Sequence, residues 1–276
     1  MISLFNYNTL EAHLNLEGHS LTIRLNRPAR EHALNCEMLL ELEDLFTWAA
    51  NHMEVKSILL SSTFSGKNLF CSGWDQEELK TLNKDKLAEQ FEKLQKLIYS
   101  FFFLPQTLIV DLKHGSRGVG SELCLGADMR VMHEKGDLHF DHLNRGLVPS
   151  CGGIGFLSEI VGQTNARNWV LSGEPVDSDQ LQKTGLLYKT YDAKTPVFAL
   201  LKTLSKQSPT ARIQAKRSFL ETIMSKFEKA IEAEKLCSLP GLQITDWKEA
   251  LHALEENRLP KFLKARDVFK MVTESV

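Results

Sequence analysis

Apolar residues at Leu14, Leu16, Leu21, Ile23 and Leu25 alternate with polar ones on either side of Gly18, which predicts a β-hairpin over residues 13–25. Asn35 stands where a helix N-cap is expected, and Met38, Leu39, Leu42, Leu45, Phe46 and Ala49 follow it at helical spacing. Val55 to Ser61 reads as a short apolar strand, then a Ser/Gly/Lys loop runs to Asn68, and the dense segment Leu69 to Asp75 comes next. Residues 76–104 read as helix, charged at first and then aromatic at Phe101, Phe102 and Phe103, which are taken as core. Thr107 to Leu112 is another strand, and the glycine-rich turn Gly115 to Gly120 leads into a helix from Ser121 to about Ala127. Leu138-His139-Phe140 is a further strand, and from Thr164 onward the pattern is helical almost throughout. Strand–loop–helix units that recur with crossovers predict an α/β fold with a largely parallel sheet. A soft boundary near Ser205 divides an α/β core, residues 1–204, from a helical C-terminal region, residues 205–276.

Composition narrows the function classes. The chain has 276 residues, 43% hydrophobic and 25% charged, the balance of a globular protein rather than a disordered one. A net charge of −2 gives no electrostatic case for nucleic acid or an anionic membrane as partner. Cys36, Cys71, Cys124, Cys151 and Cys237 have no paired spacing, which argues against a disulfide framework or a zinc knuckle and for a reducing compartment. Histidines such as His114 and His133 lack metal-ligand spacing. The N-terminal stretch has no secretory pattern, the apolar run from Leu97 to Val110 is too short to span a bilayer, and the final Thr273-Glu274-Ser275-Val276 is not a peroxisomal address. A cytoplasmic protein with no membrane and no nucleic-acid partner is expected.

Two constellations carry candidate chemistry. Phe70-Cys71-Ser72-Gly73-Trp74-Asp75 and Gly118-Val119-Gly120-Ser121-Glu122 each follow a strand and precede a helix. Each puts backbone N–H groups at a helix N-terminus, where the first donors lack partners and the dipole is positive. Either both are ordinary strand–helix turns, or two such donors grip one oxygen that gains negative charge. Glu122 has the same two readings. It complements the helix dipole, or it faces the cavity between the turns, where burial would raise its pKa and suit it to acid/base work. Asp75 is read as the cap of the following helix.

Leu25-Asn26-Arg27-Pro28-Ala29-Arg30-Glu31-His32-Ala33-Leu34 resembles the LNRPxxxNAL stretch of the enoyl-CoA hydratase/isomerase (crotonase) superfamily, with His32 where Asn is usual. Phe70 to Asp75 resembles FCAGAD, with Ser72 and Trp74 at the alanine positions, and Gly118 to Leu123 resembles GGGCEL, with Val119 at the middle glycine. Gly146 to Gly153 resembles LGxxPGxGG, Gly162 to Arg167 and Leu171 to Val176 resemble the helix and turn that follow, and Ser208-Pro209 ahead of Lys216 resembles SPxAxxxxK. Arg258, Pro260, Lys261 and Phe262 resemble the family's terminal R-x-P-x-F motif. Their shared order and spacing extend the resemblance over nearly the whole chain.

The resemblance implies a crotonase-like spiral of ββα repeats with a helical C-terminal trimerisation region, hence a homotrimer or hexamer. It implies an acyl-CoA thioester substrate, no cofactor beyond the CoA of the substrate, and no metal. It puts an oxyanion hole at the N–H groups of Trp74 and Val119 and a catalytic glutamate at Glu122. The family's second glutamate falls 20 residues after Glu122, at His142, which can exchange protons near neutral pH or serve only as a pocket wall. Arg30, Ala33, Ser72 and Lys261 are the expected contacts of the CoA moiety. Arg117 is read as a surface or subunit-contact charge or as a partner for an acidic acyl group, and Lys216 and Arg217 as solvated, with CoA phosphate contact as the alternative. The expected activity is hydration of a 2-enoyl-CoA or a shift of its double bond. Rival readings are decarboxylation or thioester hydrolysis through the same enolate, and a non-catalytic acyl-CoA-binding protein.

Overall fold

The computed structural model describes residues 5–192 and 195–264, so the tail of the expected 205–276 region, residues 265–276, lies outside the described residues. The hairpin is present: β1 (Leu10–Asn15) pairs antiparallel with β2 (Ser20–Leu25), Leu10 opposite Leu25 and Asn15 opposite Ser20. Leu21, Ile23 and Leu25 are fully buried on one face of β2. Helix α1 (Cys36–Ala50) then crosses over to β3 (Ser57–Ser62), which lies parallel to β2. The Asn35 side chain accepts from the Met38 N–H, and the buried face of α1 is the set Met38, Leu39, Leu42, Leu45, Phe46 and Ala49 that the spacing predicted.

The charged-then-aromatic stretch is two helices, not one. Asp75 caps α2 (Gln76–Thr81), the chain turns extended at Leu82, and Asn83 caps α3 (Lys84–Phe101). Of the three phenylalanines only Phe101 is fully buried; Phe103 is 49% exposed. The chain returns through β4 (Thr107–Asp111), parallel to β3.

The glycine-rich stretch contains a three-residue strand, β5 (Gly115–Arg117), and its helix α4 starts early and stops early, at Val119–Leu123, before a 3-10 turn at Cys124–Gly126. The unit then repeats as β6 (Met129–His133), β7 (Asp137–His139), a 3-10 turn at Leu143–Arg145, and the helices α5 (Gly155–Val161) and α6 (Gln163–Ser172). Helical reading from Thr164 onward overlooks β8 (Pro175–Asp177) and β9 (Lys189–Tyr191), which flank α7 (Ser178–Lys183). The strands form one sheet in the order β1-β2-β3-β4-β6-β9 and a smaller one in the order β5-β7-β8. Strand, short strand, helix is the repeating unit expected of a ββα spiral.

Helices cover both faces of the larger sheet, as a mostly parallel sheet requires. The main core lies on the α1 and α3 side, and a second cluster, Ile109, Val131, Tyr191 and residues of α8 (Thr195–Ser205), fills the other. The long α9 (Pro209–Gln243) packs Phe227 against the rings of Phe102 and Phe156, at centroid distances of 4.7 and 4.6 Å. Lys216 on this helix is not solvated. Its side chain is 13% exposed and its ammonium donates to the Gln106 carbonyl at 2.6 Å and to Asp128 at 2.7 Å. Helix α10 (Asp246–Glu255) folds back on α2 and on the 143–145 turn, burying Trp247. Among the described residues no helix is long and apolar enough to cross a membrane.

Arg130 ties the end of the α4 segment to the sheet. From β6 its buried guanidinium donates to the carbonyls of Leu186 and Ala127 at 2.7 Å and of Cys124 at 3.2 Å. An Arg130→Met protein leaves three carbonyls without their charged donor. Destabilisation of about 3 kcal/mol is expected, seen as a melting temperature roughly 6–12 °C lower by calorimetry.

Candidate active site

The two turns singled out in the sequence lie side by side. Cys71 and Ser116 form a parallel bridge, the Phe70 N–H donates to the Gly115 carbonyl, and the Arg117 N–H donates to the Cys71 carbonyl. Gly73 has φ +101, and a β-carbon there would sit 3.2 Å from the Arg117 carbonyl oxygen. Gly120 has no room at all: a β-carbon would lie 2.7 Å from both Cys71 Sγ and Ser116 Oγ. Glycine at these two positions is what lets the turns touch.

Around Trp74 the backbone pairs on either side but not at the residue itself. The Leu34 N–H donates to Gly73 and the Asp75 N–H donates to Leu34. The Trp74 N–H has no protein acceptor among the described residues, and neither has the N–H of Val119, the first residue of α4. Asp75 does cap α2, accepting from Glu77 and Glu78, and also pairs with Arg27 at 2.7 Å.

Glu122 projects from α4 into the protein and is fully buried. Its Oε1 accepts the N–H of Cys151 at 2.9 Å and of Gly153 at 2.8 Å, and its Oε2 lies 2.9 Å from His142 Nε2. Dipole complementation alone does not describe a carboxylate held this way. His142 is 2% exposed and caps the start of the 3-10 turn at Leu143–Arg145. Burial opposes charging of the imidazole. The adjacent Glu122 carboxylate, its hydrogen bond, and then Asp141 outweigh that, so the His142 pKa is raised above its ordinary 6.5. The other ring nitrogen, Nδ1, is buried with no protein partner. Burial and then Glu122 push the neighbouring Cys151 thiol well above its ordinary value, so it stays protonated.

A cleft of about 400 Å³ opens beside these groups. Four expected residues, Arg30, Ala33, Ser72 and Trp74, line it. Val119, Glu122 and His142 are buried and do not line it, and Lys261 is an exposed residue of the C-terminal segment whose N–H donates to Glu249. Arg117 also lines the cleft and is paired with Asp137 at 2.6 Å; Arg145, facing the same space, is paired with Asp141 at 2.9 Å. His114 and His133 stack at 4.2 Å, and no group of three or more His, Cys, Asp or Glu able to hold a metal occurs among the described residues.

Sequence reasoning missed Glu234. This residue of α9 is 2% exposed, and its carboxylate accepts the N–H groups of Gly152, Ile154 and Gly155. Burial first, then the charge of Glu122, pushes its carboxyl up to about 7 against the pull of those three donors. The signal was available: Leu220, Phe227 and Glu234 recur at seven-residue spacing on the buried stripe of the helix.

The sequence model of the enoyl-CoA hydratase/isomerase family matches residues 17–265. A mouse protein, enoyl-CoA hydratase domain-containing protein 2, mitochondrial, is 23% identical over 248 residues, 87% of this chain and 83% of that one. The mouse ethylmalonyl-CoA decarboxylase is 31% identical over 166 residues, 59% of this chain and 50% of that one. The crystal structure of an enoyl-CoA hydratase from Mycobacterium avium subsp. paratuberculosis K-10 superposes with a TM-score of 0.83 at 19% identity, covering 94% of this chain and 100% of that one.

The raised pKa of His142 has a testable sign. A raised value favours the folded state fully below the unfolded value near 6.5 and ceases to do so as the pH climbs through the folded value. In an NMR titration the His142 ring is expected to titrate above 6.5, and Glu122→Gln should move its midpoint downward. A midpoint that stays put in that variant would show that Glu122 is not the cause.

Proposed function

The chain belongs to the enoyl-CoA hydratase/isomerase family and is an acyl-CoA-processing enzyme; from that premise we propose that it hydrates a 2-enoyl-CoA or shifts its double bond, with Glu122 and His142 as one proton-handling unit. The observation that carries the reading is the 2.9 Å contact of Glu122 Oε2 with His142 Nε2, beside two N–H groups left without acceptors. The thioester carbonyl oxygen takes the N–H groups of Trp74 and Val119 and becomes enolate-like there; each such donor is worth about 2.7–4 kcal/mol of barrier. In hydration Glu122 takes a proton from the water whose oxygen bonds to the β-carbon, the His142 imidazolium gives one to the α-carbon as the enolate collapses, and transfer from Glu122 Oε2 to His142 Nε2 restores the pair. CoA lies along the cleft with Arg30, Ala33 and Ser72, and Lys261 meets it from the C-terminal segment. CoA enters as part of the substrate, and the chemistry needs no further cofactor.

A second reading is favoured by a particular feature. Arg117 and Arg145 bring two guanidinium groups to the cleft, and the 31% identity is to an ethylmalonyl-CoA decarboxylase, so an acyl-CoA bearing a second carboxylate is the alternative substrate. Incubation with a panel of enoyl- and carboxyacyl-CoA thioesters, followed by mass spectrometry, separates the two. Hydration adds the mass of one water, decarboxylation removes that of CO2, and isomerisation shifts only the chromatographic retention. On the substrate so found, Glu122→Gln should lower kcat about 10²–10⁴-fold with KM near normal. Val119→Pro deletes a donor at the one helical position where proline is well tolerated, and should cost about 10²–10³-fold. Full rates in Val119→Pro would remove the oxyanion assignment.

We also place the protein in the cytoplasm, where its five unpaired thiols stay reduced, and assign residues 205–276 to self-association as a trimer or hexamer. Phe219, Leu236 and Leu239 on α9 and Leu254 and Leu259 beyond it are exposed large apolar side chains, a surface suited to burial against other copies. Light scattering at micromolar concentration should give three or six times the chain mass, and a monomer would refute the assignment.

A further inference from the structure

Five consecutive N–H groups, from Cys151 to Gly155, are shared between two buried carboxylates. Those of Cys151 and Gly153 go to Glu122, and those of Gly152, Ile154 and Gly155 go to Glu234. The alternation is built into the backbone. Gly152 has φ +109, a β-carbon on Gly153 would sit 2.7 Å from Glu122 Oε1, and one on Gly155 would collide with Ala230 of α9. The loop therefore lies tight between α4 and α9, with no side chain at its three glycines to take up slack.

We propose that Glu234 is a positioning residue for the reaction: from α9 it fixes the 151–155 loop, and through the Cys151 and Gly153 N–H groups it fixes the Glu122 carboxylate. The proposal rests on the reading of Glu122 as the proton-handling group. Glu234 does not line the cleft, and the loop amides it holds alternate with those that hold Glu122, so its effect on chemistry passes through Glu122. The amides that hold Glu122 and those that Glu234 holds are neighbours in one chain, and a displacement of one set displaces the other. Misplacement of a reacting group by about 1 Å can cost about 10²-fold in rate. A helix of the C-terminal region thereby reaches the catalytic centre of its own chain.

The test uses the full chain and Glu234→Gln, which keeps the length of the side chain and turns one acceptor oxygen into a donor. On the thioester identified above, kcat is expected to fall about 10- to 100-fold while KM moves less than about threefold. In a Glu122→Gln background the same substitution should cost less than about twofold, because the group it positions is already disabled. Single-amide hydrogen exchange by NMR should quicken at least about tenfold at Cys151 and Gly153, which touch Glu122 and not Glu234. If Glu234→Gln fails to fold, Glu234→Asp, which keeps charge and acceptors on a shorter arm, is put through the same three measurements with the same expectations. An unchanged kcat, an equal loss in both backgrounds, or unchanged exchange at 151 and 153 overturns the proposal. A wild-type protein that turns over no thioester refutes the reading of Glu122 instead, and the exchange at 151 and 153 then decides alone whether Glu234 fixes the loop.

Discussion

Glu122 carries a carboxylate with no exposure to water on a helix of only five residues, and three donors from elsewhere in the chain hold it: the Cys151 and Gly153 N–H groups and His142. A buried charge stripped of its partners costs several kcal/mol, so these segments cannot drift apart while the protein stays folded. Arg130 secures the far end of the same helical segment through the Cys124 and Ala127 carbonyls. The repeating strand–strand–helix unit matters here because it delivers both partners: the first repeat ends in α4 with Glu122, and the second runs from β7 straight into His142 and then the 151–155 loop. Contact between residues 20 and 31 positions apart becomes routine once one repeat stacks on the next.

The same constraint explains the glycines. Gly73 and Gly120 allow the 69–75 turn to lie against β5 and the start of α4; Gly153 leaves space for a carboxylate oxygen that any side chain would occupy. Trp74 brings bulk to this position, and its indole Nε1 is buried with no protein partner. Its N–H lies on the backbone, and its ring packs edge-on against Phe91 at 6.0 Å in the core.

Local signals were legible and relational ones were not. Asn35 and the spacing of Met38 to Ala49 describe α1 because cap and stripe are contiguous in sequence. Three-residue strands such as β5, β8 and β9 are too short for a period of two to declare itself, so their pattern merges with a glycine-rich turn and a helical stretch. Asn83 marked the division of α2 from α3, but it sits inside a run whose helical pattern continues on both sides. The candidate residues Trp74, Val119, Glu122 and His142 came from motif order. The donors that hold Glu122 are backbone groups, to which side-chain chemistry gives no clue. Lys216 and Glu234 belong to a helix rich in Lys and Glu, where composition suggests solvation; only their register against Leu220 and Phe227 sets them inward.

Histidine at position 142 also settles an electrostatic difficulty that Glu234 creates. Glu122 and Glu234 grip opposite sides of one five-residue loop, and the charge of Glu122 already helps push the Glu234 carboxyl up to about 7. A third carboxylate at position 142 would add like charge to this buried group, and like charges at one site disfavour the ionised form. An imidazole takes up a proton instead of shedding one, and against Glu122 it does so more readily than a free histidine. Whenever the imidazole holds its proton it offsets the Glu122 charge, which lowers the cost of keeping a second acid behind the loop. Seen this way, the histidine and the buried acid on α9 are two halves of one arrangement: the acid fixes the loop that holds Glu122, and the imidazole makes room for its charge.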